Sequence, residues 1–341
     1  MSYTPFQAPF NAGLLGDDEI AAHFSLRAEL EAMLSFEAAL VEAQAEAGVI
    51  EAGAAEAIVE ALPRFRPDMD DLREGGARDG MIVPALIRQL RAHVGEHGAL
   101  LHHGSTSQDV IDTAAMMRLR DAVGDLSERL AGLVATLEAL RERVGEREVM
   151  ARTRMQAALP VPLGVRLDNW LAVIASVADT APQRFPVQFG GPVGVSDRAG
   201  GQAVALGVAE RLGLTCPARH WQTDRMPMVE IAQWLANVCG ALGKIGADVC
   251  LMALMGEVSV SDAGGSSAMA HKRNPVKAEA LVTLARFAAP LAGTMGQALV
   301  HENERSGAMW TLEWLVMPQL AVATGAATRN ALALVQSLDF D

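Results

Sequence analysis

The amino-acid sequence predicts an all-α protein, an elongated bundle of long helices with a smaller helical domain at its N-terminus. Composition is the first reason. Of 341 residues, 50% are hydrophobic but only 4% aromatic, and the small or unbranched side chains that fill the long segments lose little rotamer freedom in a helix. The second is a seam: Met116, Leu119, Val123, Leu126, Leu130, Leu133, Leu137, Leu140 and Val144 follow one another by steps of three and four, as in a coiled coil. The third is its repetition in Met228, Ile231, Leu235, Val238, Leu242, Ile245, Val249 and Met252, with Pro227 where a first-turn proline belongs.

Taken in order, the first hundred or so residues read as shorter helices broken by glycine and proline, over Asp17–Ala47, Glu51–Ala61 and Val83–Gly95. Residues 1–108 are therefore expected to form the N-terminal domain and 109–341 the bundle. Two loop-rich stretches, Pro182–Gly201 and Val258–Asn274, contain Gly190-Gly191, Gly200-Gly201 and Gly264-Gly265, pairs that let a ligand approach the backbone closely. After Pro275 a helix runs from about Lys277 to Glu302 with Pro290 as a kink, and another begins near Trp310. Seams of this length exceed what a compact single chain can cover, so a homo-oligomer is expected.

A formal net charge of −13 would repel a phosphate backbone, and no basic run offsets it, which sets nucleic acid aside as a partner. A few Arg and Lys gathered in one cleft could still attract a small anion. Cys216, Cys239 and Cys250 lack the spacing of a zinc site and read as reduced thiols. The N-terminus shows no basic stretch leading into an apolar run, and no segment approaches the roughly 20 uncharged apolar residues of a membrane span. The expectation is a cytoplasmic protein that uses neither membrane, metal nor organic cofactor.

Chemistry concentrates in Gly264-Gly265-Ser266-Ser267-Ala268-Met269-Ala270-His271-Lys272-Arg273-Asn274-Pro275. A Gly-rich loop offers two hydroxyls, then three basic side chains and an amide, and ends at a proline that opens a helix. This pattern suits an anion: Lys272 and Asn274 can hold a carboxylate, and a serine beside that charge can serve as a base.

That loop resembles the signature of the fumarase/aspartase superfamily, written GSS-x-M-P-x-K-x-N-P, and departs from it only at Ala270, where the family has proline. Two further stretches carry the resemblance. His102-His103-Gly104-Ser105-Thr106-Ser107-Gln108-Asp109, followed by Ile111-Asp112-Thr113, is similar to the motif whose Thr-Ser pair binds substrate carboxylate, in wording nearest the 3-carboxy-cis,cis-muconate cycloisomerase branch. Arg152-Thr153-Arg154-Met155-Gln156-Ala157-Ala158-Leu159-Pro160 resembles R-T-H-x-Q-x-A-x-P, with Arg154 in place of the histidine that is an acid/base in several members; arginine holds its proton, so it can bind a carboxylate but not shuttle a proton. His301 to Trp310, with Glu313 and Trp314, resembles a segment of the same branch that brings an arginine, here Arg305, near substrate. Gln188-Phe189-Gly190-Gly191 matches a family turn that shapes backbone.

The resemblance implies a homotetramer whose sites each draw motifs from three subunits, and a cofactor-free cycloisomerase acting on a small polycarboxylate. Ser266 would transfer the proton and His102 act as acid or hydrogen-bond donor. Thr106, Ser107, Arg154, Gln156, Lys272, Asn274 and Arg305 would bind substrate. Relatives usually continue as a small C-terminal domain, and the chain stops at Asp341, so that domain is expected to be absent. The alternatives are a lyase releasing fumarate, of the adenylosuccinate or argininosuccinate type, and a non-catalytic oligomeric scaffold.

Overall fold

Ahead of the first seam the chain forms α1 (Ala12–Leu15), α2 (Asp18–Ala22), α3 (Leu26–Glu46), α4 (Ala52–Ala61), α5 (Met69–Asp79) and α6 (Val83–Val94). The computed structural model describes all residues except 1–3, 5, 9, 197–198, 270 and 341, so Ala270 lies outside the described residues. The stretch expected as one helix over Asp17–Ala47 is two, because Asp17 and Ser25 each cap a new start, accepting Ile20 N and Ala28 N. Beyond these come α7 (Ser107–Val144), a hairpin of β1 (Glu148–Thr153) and β2 (Gln156–Pro162), α8 (Leu163–Asp179) and α9 (Gly201–Leu212). The chain ends with α10 (Met226–Leu254), β3 (Ser259–Val260), α11 (Val276–Gln297), α12 (Gly307–Gln336) and β4 (Leu338–Asp339).

Two cores hold these elements. The larger lies among α7, α8, α10, α11 and α12; the smaller gathers α3, α4, α6 and α9 together with Val110, Ile111 and Ala114 from the start of α7, and Trp310. Every residue of both predicted seams is buried. The inference that the seams outrun a single chain is therefore corrected: α8 and α12 pack along α7, and α8, α11 and α12 along α10, so one subunit covers both. The apolar side chains left to solvent sit elsewhere, among them Val165, Val173, Leu251, Leu254, Phe287 and Leu315. By length and composition α10 is also a candidate membrane span, contrary to the sequence reading; Lys244 and Asp248 interrupt its apolar run, and its seam is bundle core.

The polarity of the bundle decides where chemistry can occur. The starts of α7, α10 and α12 share one end, joined by Arg225, whose guanidinium pairs with Asp112 at 2.7 Å and Glu313 at 2.6 Å. Their far ends share the other: Arg143 reaches Leu338 O at 3.5 Å, Ser261 N donates to Ser337 O at 2.9 Å, and β3 pairs antiparallel with β4. At a rise of about 1.5 Å per residue, the 38 residues of α7 separate the two ends by more than about 40 Å.

Arg225 is fully buried, as are Asp112 and Glu313, and Trp310 Nε1 donates to Asp112 Oδ1 at 2.8 Å. The guanidinium also lies 4.6 Å from the centre of the Trp221 ring. Burial works against the charge of Arg225, but the two carboxylates outweigh it and hold its pKa above the ordinary value. Burial raises the Glu313 carboxyl against the pull of Arg225, with Asp112 adding to the rise. Removing the guanidinium alone strands two buried carboxylates. Arg225→Leu should lower the unfolding free energy by about 3–5 kcal/mol, measured by urea denaturation.

Candidate active site

At the end where α7 begins, the chain from His102 to Ser107 is fixed from two sides. Thr106 is the residue before the first turn of α7, and its N–H donates to Asp109 Oδ2 at 3.0 Å. The Asp109 carboxylate also accepts Gly190 N and Gly191 N, each at 2.9 Å. The Gln188–Gly191 turn is thereby pinned onto the start of α7, a structural duty that agrees with its sequence reading. Gly191 sits at φ +64° and Gly104 at φ +69°, where a side chain on Gly104 would lie 2.0 Å from Ala199 Cβ. Burial pushes the Asp109 carboxyl up to about 7, against the hydrogen bonds from Gly190, Thr106 and Gly191.

The Thr106 side chain, the other half of a capping box with Asp109, also has a partner outside the helix. Arg305 supplies it, donating through Nη2 to Thr106 Oγ1 at 3.3 Å and to Pro192 O at 3.3 Å, and through Nε to Gln108 Oε1 at 2.8 Å. His102 stands nearby in a left-handed conformation, φ +62°, with Nδ1 2.6 Å from Glu37 Oε1. His102, Thr106, Ser107 and Arg305 thus form one group.

The remaining predicted residues lie at the opposite end. The loop after β3 closes at its base, where Gly264 and Asn274 exchange backbone hydrogen bonds of 2.9 and 2.8 Å. Asn274 Nδ2 donates to Gly265 O at 3.2 Å. Ser266 Oγ accepts the N–H groups of Ala268 and Met269 at 3.3 and 3.2 Å. Such donors favour a negatively charged oxygen. Lys272 is exposed on the same loop.

Arg154 and Gln156 belong to the hairpin, a feature that the sequence does not announce. The connection is Arg154-Met155, both left-handed at φ +49° and +64°, the geometry of a tight two-residue hairpin turn, although neither is one of the residues that usually favour it. Arg152 and Arg166 both pair with Glu257, just past α10, and tie the hairpin to this end of the bundle. The sequence-predicted residues are therefore split: one group at the start of α7 and another, Arg154, Gln156, Ser266, Lys272 and Asn274, across the length of the bundle. Glu37 and Arg225 enter the picture only through contacts, since each lies within a helix or at its start with no motif to mark its role, and Asp109, though it stands in the first motif, shows its duty only through its hydrogen bonds.

Residues 16–288 match the protein family described as Lyase. The chain belongs to this family. As a lyase of the fumarase/aspartase superfamily it is 36% identical to the 3-carboxy-cis,cis-muconate cycloisomerase of Pseudomonas aeruginosa, over 100% of this chain and 77% of that one. It is also 36% identical to that of Bradyrhizobium diazoefficiens, over 98% and 77%. Among solved structures, the 3-carboxy-cis,cis-muconate lactonizing enzyme of Pseudomonas putida superposes with a TM-score of 0.89 at 33% identity, covering 96% of this chain and 76% of that one.

Asp109→Ala would leave the N–H groups of Gly190, Gly191 and Thr106 without their acceptor. We expect a loss of at least about 2 kcal/mol, read as a lowered denaturation midpoint.

Proposed function

We propose that this lyase is a cytoplasmic 3-carboxy-cis,cis-muconate cycloisomerase, closing that tricarboxylate to 4-carboxymuconolactone in the protocatechuate branch of aromatic catabolism. One observation carries the reading beyond family membership. Arg154, Lys272 and Arg305, one from each of three motif segments, have no carboxylate partner among the described residues, in a chain of net charge −13. Unpaired cations in these segments suit a substrate that carries several carboxylates.

In the reaction one carboxylate oxygen bonds to a carbon of the conjugated diene, and a proton is added to the neighbouring carbon, so the product is an isomer of the substrate. Negative charge develops on the carboxylate attached to that carbon, and fixed donors stabilise it. Lys272 and Asn274 hold one carboxylate, Thr106 and Ser107 a second, and Arg305 and Arg154 with Gln156 the third. Ser266 moves the proton, its oxygen favoured as an anion by the N–H groups of Ala268 and Met269. Arg154 in place of a titratable histidine argues for this reading over a fumarate-releasing lyase that needs the histidine.

Because the two groups stand more than about 40 Å apart in one subunit, the site is proposed to assemble from several copies, in a tetramer. The test is loss of the conjugated-diene absorbance when purified protein meets 3-carboxy-cis,cis-muconate, with adenylosuccinate and argininosuccinate in parallel. Turnover of the muconate alone is expected; turnover of a succinyl substrate instead would replace the assignment. Ser266→Ala should lower kcat by about a hundredfold to ten-thousandfold without changing the circular dichroism spectrum.

A further inference from the structure

Glu37 lies in the middle of α3, fully buried among Phe36, Leu40 and Val41 in the smaller core. One carboxylate oxygen meets His102 Nδ1 at 2.6 Å, and the other has no hydrogen-bond partner among the described residues. An apolar side chain would occupy this place without the desolvation penalty that a carboxylate brings. Its single partner, His102, adopts a backbone conformation uncommon for a residue with a side chain. Both features have one outcome, an imidazole held in a single orientation.

The bond to Glu37 also decides the chemistry of the ring. With Nδ1–H given to the carboxylate, Nε2 is the nitrogen left to act. His102 lines a surface cavity of about 390 Å³ with Ser107, Arg88, Arg91 and Ile87. Arg88 is occupied by Asp71 and Arg91 donates to Leu101 O at 3.1 Å, so neither competes for Glu37. The charged groups acting on His102 are Glu37 from α3, Asp109 from α7 and Arg91 from α6. Burial lowers its proton affinity, but Glu37, aided by Asp109, outweighs burial and Arg91, and the imidazole keeps its proton above the usual range.

Building on the proposed reaction, we infer that Glu37 is a positioning residue of the active site: it holds His102 so that Nε2–H is presented beside Ser107 to a substrate carboxylate. The carboxylate does not touch substrate and acts only through His102. As pH rises through the His102 pKa, the donor is lost and activity falls.

Glu37→Gln keeps an acceptor for Nδ1–H and removes the charge. In the tetramer, the alkaline limb of kcat/KM should move about one unit lower, an approximately tenfold loss at pH 8. Adding Glu37→Gln to His102→Gln should change kcat/KM by less than about twofold. An unmoved limb in a folded E37Q tetramer, or an equal loss in the H102Q background, would overturn the inference. Exchange of the imidazole C2 proton, followed residue by residue by mass spectrometry, tests the same pair without any substrate. His102 should exchange with a midpoint above the ordinary imidazole value in the wild type and a lower one in E37Q; a wild-type midpoint at or below that value refutes the hold even if E37Q does not fold. Should the protein leave the muconate unchanged, the proposed reaction fails while the exchange experiment still decides the role of Glu37.

Discussion

A guanidinium sealed from water must be surrounded by anions, and in this subunit that demand brings three long helices to a common origin. Arg225, immediately before α10, draws Asp112 from α7 and Glu313 from α12, with Trp310 closing over Asp112. None of these groups tolerates the loss of its partners, since a lone buried charge is far less stable than a paired one. The knot sets the level at which the three helices begin, and therefore the distance between Thr106, which precedes α7, and Arg305, which precedes α12. The seams give the bundle its cohesion, while the knot gives it a register.

From that register follows the division of the candidate site. The rigid helices that place Thr106 and Arg305 within hydrogen-bond reach also carry Ser266 and Arg154 to the other end. A second copy running in the opposite direction brings unlike ends together, and the same polarity that prevents a single chain from closing a site supports the proposed assembly. Around Thr106 the local arrangement is economical: Asp109 serves the helix start and the Gln188–Gly191 turn at once, while the Thr106 hydroxyl accepts from Arg305.

How much of this is legible in the sequence depends on the physical range of each signal. The seams of α7 and α10 are visible because burial on one side of a helix imposes a step of three or four residues, and their residues are buried as expected. α5 is hidden because it buries little besides Leu72 and contains Gly75-Gly76, which read as a break; Asp68 at its start and left-handed Gly80 at its end define it in the structure. The hairpin is hidden because its strands are largely exposed and its turn uses Arg154-Met155 in place of Asn or Gly. For the site, motif wording identifies residue types, whereas position along the chain does not reveal which bundle end a loop occupies. Arg225 and Glu37 are invisible for the same reason, since a partner 113 residues away for Arg225 or 65 away for Glu37 leaves no local pattern.

The central claim is that one active site takes Ser266 and Arg305 from different copies of the chain. Co-expressing Ser266→Ala with Arg305→Ala, each inactive alone, tests it directly. Hybrid tetramers should regain a substantial fraction of wild-type activity, because some sites then combine an intact Ser266 from one copy with an intact Arg305 from another. Hybrids that form, as shown by native mass spectrometry, yet stay as inactive as their parents would contradict the account.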